Sequence, residues 1–172
     1  MKFLSLITLV MLFQQYGLSG GKSKLTQYLS RDSSMVASVF TVDYDGNGNT
    51  ESKVEFRTRK GELIAAKSFM SGDRAHGLGV IKAAWTLDSE FFVFIAIASG
   101  GQESGHFPTF FFDRSNHQLY MIEKLLNGNV TDPEFELEYP DGIIITIRDR
   151  LPSGKSSEAI TRTVYLSKLK EK

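Results

Sequence analysis

The sequence predicts an all-β fold of packed antiparallel sheets, and three observations carry that prediction. Apolar runs of strand length recur along the chain, turn-forming Gly, Asp, Asn and Ser residues separate them, and three of the runs are apolar on both faces instead of alternating. Parallel neighbours would need long crossover connections, usually helical, and the chain has no room for them between its runs. Antiparallel pairing is the remaining arrangement.

The first segment is of another kind. Met1 to Gly21 has the form of a secretory signal peptide: Lys2 gives a positive end, Phe3 to Phe13 is apolar except for Ser5 and Thr8, and small residues follow. The run is shorter than the roughly 20 residues of a membrane span, so no stable membrane insertion is expected after cleavage. Ser19 and Gly21 provide the small side chains that cleavage requires. The mature chain is therefore expected to be a single all-β domain over residues 22–172, secreted or periplasmic.

Leu25, Tyr28 and Leu29 then fall at helical spacing, which predicts one short N-terminal helix. Met35 to Val42 reads as the first strand and is broken by Asp45-Gly46-Asn47-Gly48-Asn49, residues that tolerate positive φ. Val54-Glu55-Phe56-Arg57-Thr58 alternates, with Val54 and Phe56 inward, and Lys60-Gly61 turns it into Leu63 to Phe69. A loop follows through Ser71-Gly72-Asp73 to Gly77–Gly79, then a strand over Val80 to Trp85 and a turn at Asp88-Ser89. Phe91 to Ala98, Phe110 to Phe112 and Ile143 to Ile147 are the runs apolar on both faces, which predicts strands covered on both sides by other sheets. Ala159 to Leu166 alternates and is expected nearer an edge, and Lys168 to Lys172 reads as a solvated tail. The longest connections are Ser99 to Pro108 and Asn127 to Pro140.

Composition narrows the function. The 172 residues carry 20 basic and 20 acidic side chains and no cysteine. Zero formal charge supplies no electrostatic attraction to nucleic acid. Without cysteine there is no disulfide framework, thiol nucleophile or thiolate metal site, so an exported domain must hold itself by core packing alone. The sequon Asn129-Val130-Thr131 matters only in a eukaryotic secretory pathway.

Ala84-Trp85-Thr86-Leu87-Asp88-Ser89-Glu90-Phe91-Phe92-Val93-Phe94 resembles the W-S-P-D-G-x-x-[LIV]-x-[FY] pattern of TolB-like and WD40-like propeller blades. Phe110 to Arg114, through Ser115-Asn116-His117 into Gln118 to Met121, is similar to the next strand pair of such a blade, so the likeness covers residues 84–126. Tyr139-Pro140-Asp141-Gly142 gives a weaker echo. Leu87 and Ser89 replace the Pro and Gly of the pattern, and no third good copy exists. The resemblance implies face-to-face antiparallel sheets, as an incomplete propeller-like stack or a β-sandwich, and carries no blade family's function over.

Candidate chemistry lies in loops. Asp43-Tyr44-Asp45-Gly46-Asn47-Gly48 matches the opening of a calcium loop, with Asp43, Asp45 and Asn47 as oxygen donors for a possible calcium ion. An EF-hand closes on a bidentate acid at its twelfth position, which here is Val54, and a plain hairpin loop accounts for the same residues. The loop Ser99 to Pro108 joins two doubly apolar strands. Within it Gln102, Glu103, His106 and Phe107 form a candidate ligand-binding set, with Glu103 and His106 as an acid–imidazole pair and Phe107 as a stacking face. His76 is a further candidate if its loop faces His106. No G-x-S-x-G turn or H-E-x-x-H helix is present to organise catalysis, and Trp85 reads as core. The expectation is an exported, non-enzymatic β domain that binds a protein or small ligand through loops at one end of its sheets. The alternatives are a secreted hydrolase using Glu103 and His106, with Asp73 or His76 in support, and a calcium-stabilised structural module.

Overall fold

A computed structural model of the chain describes residues 21–100, 105–151 and 156–169. The expected signal segment, apart from Gly21, lies outside those residues. The chain forms three antiparallel sheets in succession. The first contains β1 (Lys22–Leu29), β2 (Met35–Asp43), β3 (Thr50–Thr58) and β4 (Leu63–Ser68), each paired with the next. The second repeats that meander with β5 (Leu78–Trp85), β6 (Phe91–Ala98), β7 (Thr109–Asp113) and β8 (Gln118–Met121). A short helix, α1 (Ile122–Leu126), leads into the third sheet of β9 (Gly128–Val130), β10 (Glu136–Glu138), β11 (Gly142–Asp149) and β12 (Ile160–Tyr165). There β12 pairs with β11 on one side, while β10 and β9 share the other side end to end. One further turn of helix, α2 (Leu166–Leu169), follows β12.

The second sheet is the middle layer, which explains the doubly apolar runs. Phe91, Val93, Ile95 and Phe111 pack with Ile143, Ile145 and Val164 of the third sheet. Their alternates Phe92, Phe94, Phe110 and Phe112 pack with Ala37, Val39, Val54 and Phe56 of the first, and Trp85 is buried among them. Aromatic rings make up much of this second core: Phe56 stacks on Phe112 at 3.8 Å between centroids, and Phe92 meets Trp85, Tyr28 and Phe56 in tilted or edge contacts. Burying a strand on both faces removes the reason for a polar alternate. Each large ring so buried contributes on the order of 2 kcal/mol of transfer free energy.

Four expectations are corrected. The segment holding Leu25, Tyr28 and Leu29 is strand β1, paired with β2 from Lys22↔Asp43 to Leu29↔Val36, and no N-terminal helix forms there. Leu25 and Leu29 are 44% and 56% exposed, so the helical spacing marks no buried stripe. The inward residue is Tyr28, whose carbonyl accepts the Trp85 indole N–H at 2.9 Å. Strand β11 is buried on one face only, through Ile143, Ile145 and Ile147, because the third sheet is an outer layer. The connection after Asn127 contains β9 and β10, runs of three residues too short to show a period. At the C-terminal end β12 stops at Tyr165, and α2 buries Leu166 and Leu169.

Candidate functional site

Three of the connections singled out above lie at one end of the first two sheets. Antiparallel pairing fixes this: β2 ends and β3 begins there, and Leu78 at the start of β5 is registered with Ala98 at the end of β6. The loop 69–77 is tied to the first sheet by Phe69 N–H donating to Ser52 O, and Ser99 N–H donates to Gly77 O. Across the ends of the loops, the Arg74 guanidinium lies over the Tyr44 ring at 5.3 Å. Thus the hairpin loop after Asp43, the loop after Ser68 and the start of the loop after Ala98 form one surface.

Glu51 ties the surface together. It is wholly buried on β3, and its carboxylate accepts from Ser71 N–H at 2.8 Å, Ser71 Oγ at 2.5 Å, Gly77 N–H at 2.8 Å and Ser99 Oγ at 3.1 Å. Burial pushes its pKa up, but these donors outweigh burial and hold it below the ordinary glutamate value. Gly77 is required by this contact, since a Cβ there would sit 2.5 Å from Glu51 Cδ and 2.4 Å from Phe69 O. Sequence reasoning missed Glu51 because alternation puts it on the same face of β3 as Lys53 and Glu55, which the charges mark as the outward one. The folded 69–77 loop and Ser99 cover it.

Within the surface, Asp73 Oδ1 accepts from Ala75 N–H at 3.1 Å and His76 N–H at 3.2 Å, while Oδ2 pairs with His76 Nδ1. The His76 ring, with Ser71 and the Ala75 amide, holds the exposed Asp73 carboxyl well below its usual range. Of the calcium candidates, Asp43 accepts from Gly46 N–H at 2.8 Å and Gly48 N–H at 3.2 Å. Asp45 accepts from Asn47 N–H at 2.9 Å and Asn49 Nδ2 at 2.8 Å. Gly46 and Gly48 take positive φ values of 77° and 88°, as the hairpin reading requires. Among the described residues no group of three or more His, Asp or Glu side chains is placed to hold a metal ion.

The Ser99 to Pro108 candidates divide. Gln102 and Glu103 lie outside the described residues. Phe107 packs against the core between the second and third sheets, and its N–H donates to Val130 O at 2.9 Å, so its ring serves packing. His106 faces Glu123 of α1, and His76 pairs with Asp73. Glu123, also missed from sequence, is 6% exposed, with Oε1 accepting from Thr109 N–H at 2.8 Å and Oε2 without a partner. Burial raises its pKa to about 7, against the weaker opposing effects of its own amide, the Thr109 amide and His106. Its signal was a lone acid in the apolar run Met121-Ile122-Glu123-Lys124-Leu125-Leu126.

At the opposite end the two turns of the blade-like resemblance touch, with Asp88 N–H donating to Pro140 O at 3.1 Å. Asp88, Glu90, Asp113 and Asp141 line a hollow of about 250 Å³ beside them. Its carboxylates serve the turns: Asp113 accepts from Ser115 N–H and Asp141 from Ser167 N–H. Arg114 pairs with Asp32 across the sheets at 2.6 Å. Asn129 of the sequon is a strand residue of β9 whose Oδ1 accepts from Arg150 at 3.1 Å. No helix among the described residues is long and apolar enough to cross a membrane. Compared with known protein families, curated proteins and solved structures, the chain matches none.

Proposed function

We propose that the protein is an exported, non-enzymatic binding domain that meets a protein partner or small ligand through the loop surface at one end of its first two sheets. The observation that carries this reading is the convergence of the loops after Asp43, Ser68 and Ala98 around the buried Glu51 carboxylate. Loops fixed at their bases by a rigid scaffold, with exposed polar tips, are a recurring way to present a recognition surface. The tips here offer both charge signs and an aromatic face, in Asp73, Arg74, His76 and Tyr44. The hydrolase alternative has less support, since the sequence carries no G-x-S-x-G turn or H-E-x-x-H helix to organise a nucleophile or a zinc ion.

The test is capture of partners by the tagged, exported protein, comparing wild type, Arg74→Ala with His76→Ala, and Lys60→Ala in the turn at the other end. All three should keep wild-type melting temperatures, because exposed substitutions of this kind change stability by under ~0.5 kcal/mol. The loop double variant should lose captured material that Lys60→Ala retains. Equal capture by all three proteins, or turnover in a hydrolase screen that His106→Ala abolishes, would overturn the proposal.

A further inference from the structure

A second concave surface lies on the third sheet and shares no residue with the loop surface. It is a groove of about 470 Å³ between the C-terminal turn of α1, strand β12 and α2. The half-buried Leu125 and Leu126 give it an apolar side above the buried Val164 and Leu169, and Arg162, Lys168 and Asp149 bring charge to it. Pockets of ~300–1,000 Å³ with apolar walls and a few placed polar groups are the usual form of a small-molecule site.

The charges are unequally matched. Arg162 is engaged by Asp149, with Nη2 donating to Oδ1 at 3.0 Å and Nη1 to Oδ2 at 3.5 Å. Lys168 Nζ lies 4.9 Å from the Tyr165 ring centroid, and no carboxylate among the described residues pairs with it. Among the described residues that line the groove, two cations against one anion leave one positive charge in excess beside Leu125 and Leu126. An aromatic ring under an ammonium holds that cation in place without neutralising it.

We infer that this groove binds a small amphipathic carboxylate, its apolar body against Leu125 and Leu126 and its anionic head on Lys168, with Arg162 in reach. An inorganic anion would satisfy Lys168 and leave the leucines wet. An organic cation would meet the excess positive charge. Only a molecule with both an apolar body and an anionic head matches both features.

The probe is octanoate, titrated into the ¹⁵N- and methyl-labelled protein and followed by NMR, with octylammonium and inorganic phosphate as comparisons. Saturable shifts at Leu125 and Leu126 are expected with octanoate and not with the other two. Lys168→Ala should weaken octanoate about tenfold, as loss of one charge-assisted contact of ~1.4 kcal/mol implies. Asp149→Asn releases Arg162 and should tighten binding severalfold, a gain that general loosening of the fold would not produce. Lys168 is exposed, so its replacement should leave the melting temperature unchanged. Non-saturating shifts, equal shifts with octylammonium or phosphate, or unchanged affinity in Lys168→Ala would overturn the inference, whatever the loop surface binds.

Discussion

Two buried glutamates, alike in composition and opposite in environment, show what single residues contribute. Glu51 is surrounded by donors and stays ionised; Glu123 has one close N–H donor on Oε1, none on Oε2, and a pKa raised from 4.5 to about 7. A carboxyl whose folded pKa lies above its unfolded value stabilises the fold relative to high pH: the contribution is complete below pH 4.5 and lost as pH rises through 7. Ionising Glu123 should therefore oppose folding by roughly 3 kcal/mol at pH 8, at 1.36 kcal/mol per pKa unit. Glu123→Gln keeps an acceptor for Thr109 N–H and cannot ionise. The stability of the variant relative to wild type, from urea unfolding, should rise between pH 5 and pH 8. A difference independent of pH would show that Glu123 does not titrate in this range.

Among the elements, β1 and the β2–β3 hairpin show how tertiary partners override local pattern. Isolated helices shorter than ~12 residues are marginal in water, and β1 finds a full row of backbone partners on β2 instead. The hairpin loop carries a calcium-like spacing, yet its two aspartates accept hydrogen bonds from the loop's own donors. Asp43→Ala, which removes two of these bonds, should lower stability by about 1 kcal/mol. Millimolar calcium should leave the wild-type melting temperature unchanged, since a cation would have to displace those donors. A calcium-dependent rise that Asp45→Ala abolishes would instead assign the loop to an ion, because a ligand bound only to the folded state stabilises it by mass action.

For the molecule as a whole, the middle sheet makes the two cores one cooperative unit. Phe111 belongs to the core facing the third sheet and Phe112 to the core facing the first, although they are neighbours on β7. Phe111→Ala and Phe112→Ala should each cost ~3–5 kcal/mol, the range for truncating a buried phenylalanine. Trp85, the single tryptophan, reports only on the Phe112 side. Its fluorescence should nevertheless unfold together with the circular dichroism signal in Phe111→Ala, at the same lowered urea midpoint. If Trp85 kept its wild-type midpoint in that variant, the layers would be unfolding separately.

The doubly apolar runs Phe91 to Ala98 and Phe110 to Phe112 pointed to stacked antiparallel layers, because a strand without a polar face is most stable between two others, although Ile143 to Ile147 lies in an outer sheet with only one face buried. Alternation located Val54 and Phe56 inward, and glycine and asparagine located the hairpin turn, because these are local steric preferences of the chain. The sequence could not determine that Lys22 to Leu29 is a strand, that Ile144 and Thr146 lie on a half-exposed face, or that Glu51 and Glu123 are buried. Each of those depends on a partner distant in the chain: β2 for the first, the outer position of the third sheet for the second, and the loops around Ser71 and Thr109 for the carboxylates. The candidate loops were legible one by one from their composition. Their meeting was decided only by the tertiary structure, through the registers that bring Asp43, Leu78 and Ala98 to the same end of the sheets.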